Sequence, residues 1–248
     1  KNLNEPTNIV FYPSVSFTSN DGTINYSNNR LTWTSLKNLN NSEKRANFSS
    51  SSVNFNGAVA QTVGDTYIYM PDPNLRRLVN EVLGKGSVTS QIYKSEMEKI
   101  ISINNAAHNT YDRNISDLRG LEHAKNLVTL NLNQNNIFDL SPLKDLKKLE
   151  NLYLLDNNVY SSQLNYIKDL PLKRLTLQGN NLTNISQLSG ITTLDYLLLG
   201  RNRIVDMSPV STLRNLETLH LHENQISQIR GLDNLRKLNE LSLNQNNI

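Results

Sequence analysis

The feature that most constrains this chain is a periodicity in its second half. Leu127, Leu130 and Leu132, followed by Asn135 and Ile137, set a frame. Its first leucine returns at Leu149, Leu172, Leu194, Leu216 and Leu238, in steps of 22, 23, 22, 22 and 22 residues. Apolar residues repeated at so even a step cannot gather into one compact centre. Each copy is a unit too short to bury its own apolar face. The copies must stack, and the core must run along the stack.

Every copy reads L-x-x-L-x-L-x-x-N-x-(I/L/V). This is the leucine-rich-repeat signature, whose periods span about 20–29 residues. The L-x-L alternation predicts a short strand with one buried face. After each motif but one, apolar residues continue in steps of three, as at Ile137, Leu140, Leu143, Leu146 and Leu149, or Ile204, Met207, Val210, Leu213 and Leu216. A step of three fits a 3₁₀ coil rather than an α-helix. The expected solenoid has parallel strands on its concave side and 3₁₀ turns on its convex side. The second copy is one residue longer and breaks the step at Val159 to Leu164, which predicts a local helical turn capped by Ser161 or Ser162. Asn135, Asn157, Asn180, Asn202, Asn224 and Asn246 recur at the bend after each strand. Buried amides must be hydrogen-bonded, so this column is expected to bind backbone groups of adjacent coils, a structural role.

Upstream of the repeats, Asp72 is an N-cap candidate, Pro73 fits the first helical turn and Gly84 a helix end. Leu75, Leu78, Val79, Val82 and Leu83 form one apolar stripe. A second short helix is predicted over Gln91 to Ile100. The first repeat has no neighbour on one side, so residues 65–104 are read as a helical N-terminal cap. Residues 1–64 hold short runs of β-branched and aromatic residues, punctuated by turn signals such as Ser19-Asn20-Asp21-Gly22 and Ser27-Asn28-Asn29. They predict a small β-sandwich with Trp33, the only tryptophan, in its core. The whole is an α+β multi-part chain: a β domain at 1–64, the cap at 65–104 and a leucine-rich-repeat solenoid at 105–248, whose last motif is truncated.

Composition removes several functions. The absence of cysteine excludes a disulfide framework and thiolate metal sites. A net charge of +3 with both signs interspersed argues against nucleic acid. No apolar run reaches the roughly 18 residues of a membrane span, so no membrane insertion is expected. No nucleophile–base–acid set, phosphate loop or catalytic carboxylate pair is present, and neither enzymatic activity nor a cofactor is expected. The chain opens without methionine and ends within a repeat, so it reads as a piece of a longer protein and the lack of an apolar leader weighs little.

Three consecutive pieces resemble the internalin family of Gram-positive bacterial surface proteins. Asp72-Pro73-Asn74-Leu75 through Gly84-Lys85 looks like that family's helical cap. Ile115-Ser116-Asp117-Leu118-Arg119-Gly120-Leu121-Glu122 is similar to its cap-to-repeat joint, I-x-x-I-x-G-L-E. Ile137 to Leu143 and Ile204 to Val210 resemble its I-x-D-I-S-P-L convex segment. Leu31-Thr32-Trp33 and Phe55-Asn56-Gly57-Ala58-Val59-Ala60-Gln61 resemble its immunoglobulin-like domain. In the family that domain follows a repeat array, whereas here it precedes one, as at a junction between tandem modules. The resemblance implies a secreted or cell-wall-associated virulence protein that adheres to a host surface protein.

The strand residues facing out of the horseshoe carry what binding chemistry there is. Most are small and polar. The exceptions are Tyr153 with Leu155, and Tyr196 with Leu198, the latter surrounded by Arg174, Arg201, His220, His222 and Glu223. Aromatics and arginine near the centre of a concave face dominate interface energies, so these residues are the expected protein-binding site. His220 and His222 point the same way on a strand, but zinc wants three or four converging ligands and Glu223 points elsewhere by alternation, so no metal is expected. Two other readings stand beside this one. The array is a structural spacer without a ligand, or it is an intracellular scaffold regulating an enzyme, as 22-residue phosphatase-regulator arrays are.

Overall fold

A computed structural model describes residues 65–104 and 114–248 in full and, before them, the backbone of six strands within residues 7–61. The chain divides into two compact units, Lys1–Thr66 and Tyr67–Ile248. In the first, β1 (Thr7–Val10), β4 (Arg30–Thr34) and β3 (Thr23–Ser27) form one antiparallel sheet in that order. β2 (Val15–Ser19), β5 (Lys44–Ser50) and β6 (Phe55–Gln61) form another. The β3–β4 register sets Ser27 opposite Arg30, either side of the Asn28-Asn29 turn signal. Trp33 lies on β4 opposite Thr7 and Ile24, and the burial expected of its side chain lies outside the described residues.

The second unit opens with α1 (Pro73–Val82). Asp72 caps it, its Oδ1 accepting from the N–H groups of Asn74 (2.9 Å) and Leu75 (3.0 Å). Gly84 terminates it at φ 65°, where a side chain would be strained. Its N–H donates to the Glu81 carbonyl, and that of Lys85 to the Asn80 carbonyl, closing a Schellman motif. Leu75, Leu78 and Val79 are buried, with Val82 and Leu83 packed at the margin of the same core. The other carboxylate oxygen of Asp72 accepts from the N–H groups of Ser116 (2.8 Å) and Asp117 (3.2 Å), so the capping residue also fastens the segment leading into the repeats. The second helix, α2 (Lys94–Met97), is shorter than predicted. Ile92 and Ile100 are buried on either side of it without needing helical spacing.

Seven three-residue strands then form one parallel sheet in chain order. They are β7 (Ser102–Asn104), β8 (Thr129–Asn131), β9 (Asn151–Tyr153), β10 (Arg174–Thr176), β11 (Tyr196–Leu198), β12 (Thr218–His220) and β13 (Glu240–Ser242). β7 precedes the first complete motif, and its central Ile103 is buried like the central leucines after it. On the opposite side, 3₁₀ turns run over Leu121–His123, Ser141–Leu143, Ser161–Tyr166, Ser186–Gly190 and Ser208–Thr212. Leu130, Leu152, Leu175, Leu197 and Leu219 are fully buried in one stacked column. At the last coil the column opens, and Leu241 is 41% exposed.

The asparagine column is structural, as its sequence position requires. Asn202 Nδ2 donates to the carbonyls of Leu177, Leu199 and Gly200 at 2.9–3.2 Å, while its Oδ1 accepts from the Leu182 N–H at 3.0 Å. One side chain thus satisfies backbone groups of two coils. The helical turn in the longer copy is present, but neither serine caps it. The Ser161 hydroxyl instead accepts from the N–H groups of Thr183 and Asn184, both at 2.9 Å, in the next coil.

Candidate functional site

The concave face is built from the odd positions of the strands. Parallel pairing sets Tyr153, Thr176, Leu198, His220 and Ser242 in one row, and Asn151, Arg174, Tyr196, Thr218 and Glu240 in another. Adjacent strands lie about 4.8 Å apart, so neighbours in a row touch. Thr176 is buried between Tyr153 and Leu198, both half-buried. Together they make a shallow apolar floor, continued by half-buried Leu155.

Two charged arrangements border this floor. On one side the Arg174 guanidinium lies 5.5 Å from the centre of the Tyr196 ring. On the other, Arg201 Nη2 donates to Asp156 Oδ1 at 2.8 Å. That bond reaches over Gly179, where an added Cβ would collide with the Asp156 carboxylate. Gly200 plays a similar part for His222, whose Nε2 and Nδ1 would stand 2.5 and 2.8 Å from a Cβ there. The His222 ring therefore folds down over the preceding coil, edge-on to His220 with centroids 6.0 Å apart. His220 Nε2 shares a hydrogen bond of 2.8 Å with Glu240 Oε1.

The nine residues singled out from sequence do not form a single cluster. Arg174 and Tyr196 are joined, Arg201 is tied to Asp156, and His222 covers Gly200. Glu223 sits at the bend after the strand, with φ 52°. The equivalent residues Gln134, Asp156, Arg201 and Gln245 share φ of 51–57°, and Gly179 has φ 67°. This left-handed bend in every coil was not read from the sequence. Its signal was faint: a column of Gln, Asp, Gly, Arg, Glu and Gln just before the asparagine. Glu240, the partner of His220, was also missed, because the contact crosses between rows of neighbouring strands. Among the described residues no group of His, Cys, Asp or Glu is arranged to hold a metal ion. No described helix is long and apolar enough to cross a membrane.

Three exposed apolar side chains of the repeats recur at one position outside the strands. Phe138 (54%), Tyr160 (57%) and Val205 (54%) each follow the last framework residue of a motif, Ile137, Val159 or Ile204. They line one flank of the solenoid at equivalent positions.

No family model matches the chain, and no curated protein does. Solved structures match it. An internalin (inlF) from Listeria monocytogenes aligns with a TM-score of 0.56 at 30% identity, over 71% of this chain and 57% of its own length. This chain therefore spans little more than half of that relative. An internalin C2 (inlC2) from the same organism aligns with a TM-score of 0.54 at 31% identity, over 72% of this chain and 86% of its own.

Proposed function

Since this chain belongs to the internalin family of leucine-rich-repeat proteins, we propose that it is a protein-binding module of a bacterial surface or secreted protein, which binds a host surface protein through its concave face. In this reading residues 65–104 close the end of the solenoid, as the shared burial of Leu75, Leu78 and Leu130 supports. The β-rich start is read as an immunoglobulin-like domain, supported by its two three-stranded antiparallel sheets. The observation that carries the binding assignment is the apolar floor of Tyr153, Leu155 and Leu198, bordered by Arg174 on Tyr196. Aromatic, leucine and arginine groups that the fold already holds in place lose little freedom on association.

The test uses the fluorescently labelled chain on cultured mammalian epithelial cells. A Tyr196→Ala/Leu198→Ser variant is expected to bind more than tenfold more weakly, as loss of a central hot spot costs about 2 kcal/mol or more. Lys168→Glu, on an exposed turn residue, serves as the control and is expected to bind normally. Equal binding by all three proteins would remove the concave face from the reading. The exposure of Phe138, Tyr160 and Val205 favours a second reading, contact through the flank. In that case Phe138→Ser/Tyr160→Ser/Val205→Ser is the variant that loses binding.

A further inference from the structure

Two polar side chains of the concave face are held by carboxylates within the molecule. Arg201 has Asp156, and His220 has Glu240. Just off the face, Lys173 has Glu150 at 2.9 Å. Arg174 is different. It is exposed, and no described carboxylate lies within ion-pairing distance of it. Among the described residues, its close partner is the Tyr196 ring. A guanidinium stacked on a ring is held in place while its in-plane N–H donors remain free. Such a planar fork matches a carboxylate in a two-bond arrangement.

We propose, resting on the concave-face reading, that Arg174 receives the side-chain carboxylate of an aspartate or glutamate on an extended segment of the partner. Residues 174 and 176 lie on the same side of β10. The carboxylate site is therefore two strand positions, about 6.6 Å, from the floor at Thr176, Tyr153 and Leu198. An extended partner repeats its own side chains at the same distance. The recognised element is an acidic residue and an apolar residue two positions apart. A peptide with a free terminal carboxylate separates a side-chain carboxylate from a chain end.

The experiment titrates the isotope-labelled full chain with three peptides, Ac-Leu-Ser-Glu-NH2, Ac-Leu-Ser-Gln-NH2 and Ac-Leu-Ser-Gln-OH. The resonances followed are Arg174 Nε–H and the Leu198 methyls. The glutamate peptide is expected to bind at least tenfold more tightly than either glutamine peptide, and Arg174→Gln to abolish that difference. Arg174→Lys, which keeps the charge but not the planar fork, is expected to retain only part of it. Equal binding of the glutamate and amidated glutamine peptides, or a preference that survives Arg174→Gln, overturns the inference. A free-terminus peptide as good as the glutamate peptide overturns the choice of a side chain, and silence with all three overturns the site altogether. Movement of Leu198 without carboxylate preference leaves the concave-face reading standing, and the cell-binding test decides that reading separately.

Discussion

Arg201 and Asp156 lie 45 positions apart and meet at 2.8 Å because the residue between them in the stack, Gly179, has no side chain. All three occupy the left-handed bend that ends each strand. The pair crosses an entire coil, which a side chain at Gly179 would prevent.

Gly179→Ala is therefore expected to destabilise the solenoid by about 1–2 kcal/mol, combining the left-handed backbone cost with the displaced ion pair. The pair itself is partly exposed and contributes less than about 1 kcal/mol. In an Asp156→Ala background the cost of Gly179→Ala is expected to shrink towards the backbone component alone. Denaturant unfolding of the four proteins of this cycle measures the coupling. Additive effects would mean that the collision is relieved without disturbing the pair.

The asparagine column offers a graded test. Asn202 is buried and joins two coils through four hydrogen bonds, whereas Asn246 in the last coil is half-buried and makes three. Asn202→Ala strands several buried backbone groups and is expected to cost about 2–4 kcal/mol. Asn246→Ala is expected to cost less than half as much, since water reaches the groups it leaves. Thermal unfolding of both variants gives the order, and a larger loss at Asn246 would contradict it.

The leucine columns set the strand register. Leu199 is fully buried, and Leu199→Ala is expected to cost about 2–5 kcal/mol. Leu241 is 41% exposed at the edge strand, and Leu241→Ala is expected to cost below about 1 kcal/mol. A cost below about 0.5 kcal/mol at Leu199 would contradict the register.

One acid-sensitive contact sits on the convex side. The Ser208 backbone N–H and hydroxyl both donate to Asp206, at 2.9 Å, and hold its carboxyl below the ordinary value of 3.8. The folded state thus favours the ionised form. Its contribution is complete above that ordinary value and is lost as pH falls through the depressed one. The site is exposed, so the contribution is well below about 1 kcal/mol. Asp206→Asn keeps an acceptor for Ser208, as Asn184 does for Ser186 at 2.7 Å, but cannot titrate. Unfolding midpoints measured from pH 6 down to pH 2 are expected to fall slightly less steeply for Asp206→Asn.

Much of the fold was legible because a solenoid's contacts are local copies. Leu130 meets Leu152, and Leu152 meets Leu175, each about one repeat away, so a period in sequence is a distance in space. The cap of α1 was legible for a related reason: Asp72, Pro73 and Gly84 act on backbone groups beside them. The second task of Asp72 was hidden, because Ser116 and Asp117 lie 44 and 45 positions away and share no pattern with it. Ser161 was misread in the same way, its hydroxyl serving the next coil rather than its own turn.

The sequence by itself determined the stack, its parallel strands, the asparagine column and the list of side chains that can face outward. Those follow from period and polarity, which every residue carries locally. Only the tertiary structure decided which outward side chains are engaged with one another. It bound Arg201 to Asp156 over one glycine, laid His222 over another and joined His220 to Glu240. It left Arg174 on Tyr196 with no described carboxylate partner. The physical reason is that such pairings depend on reach across coils and on space left by a neighbour, and neither is written in the residue that makes the contact.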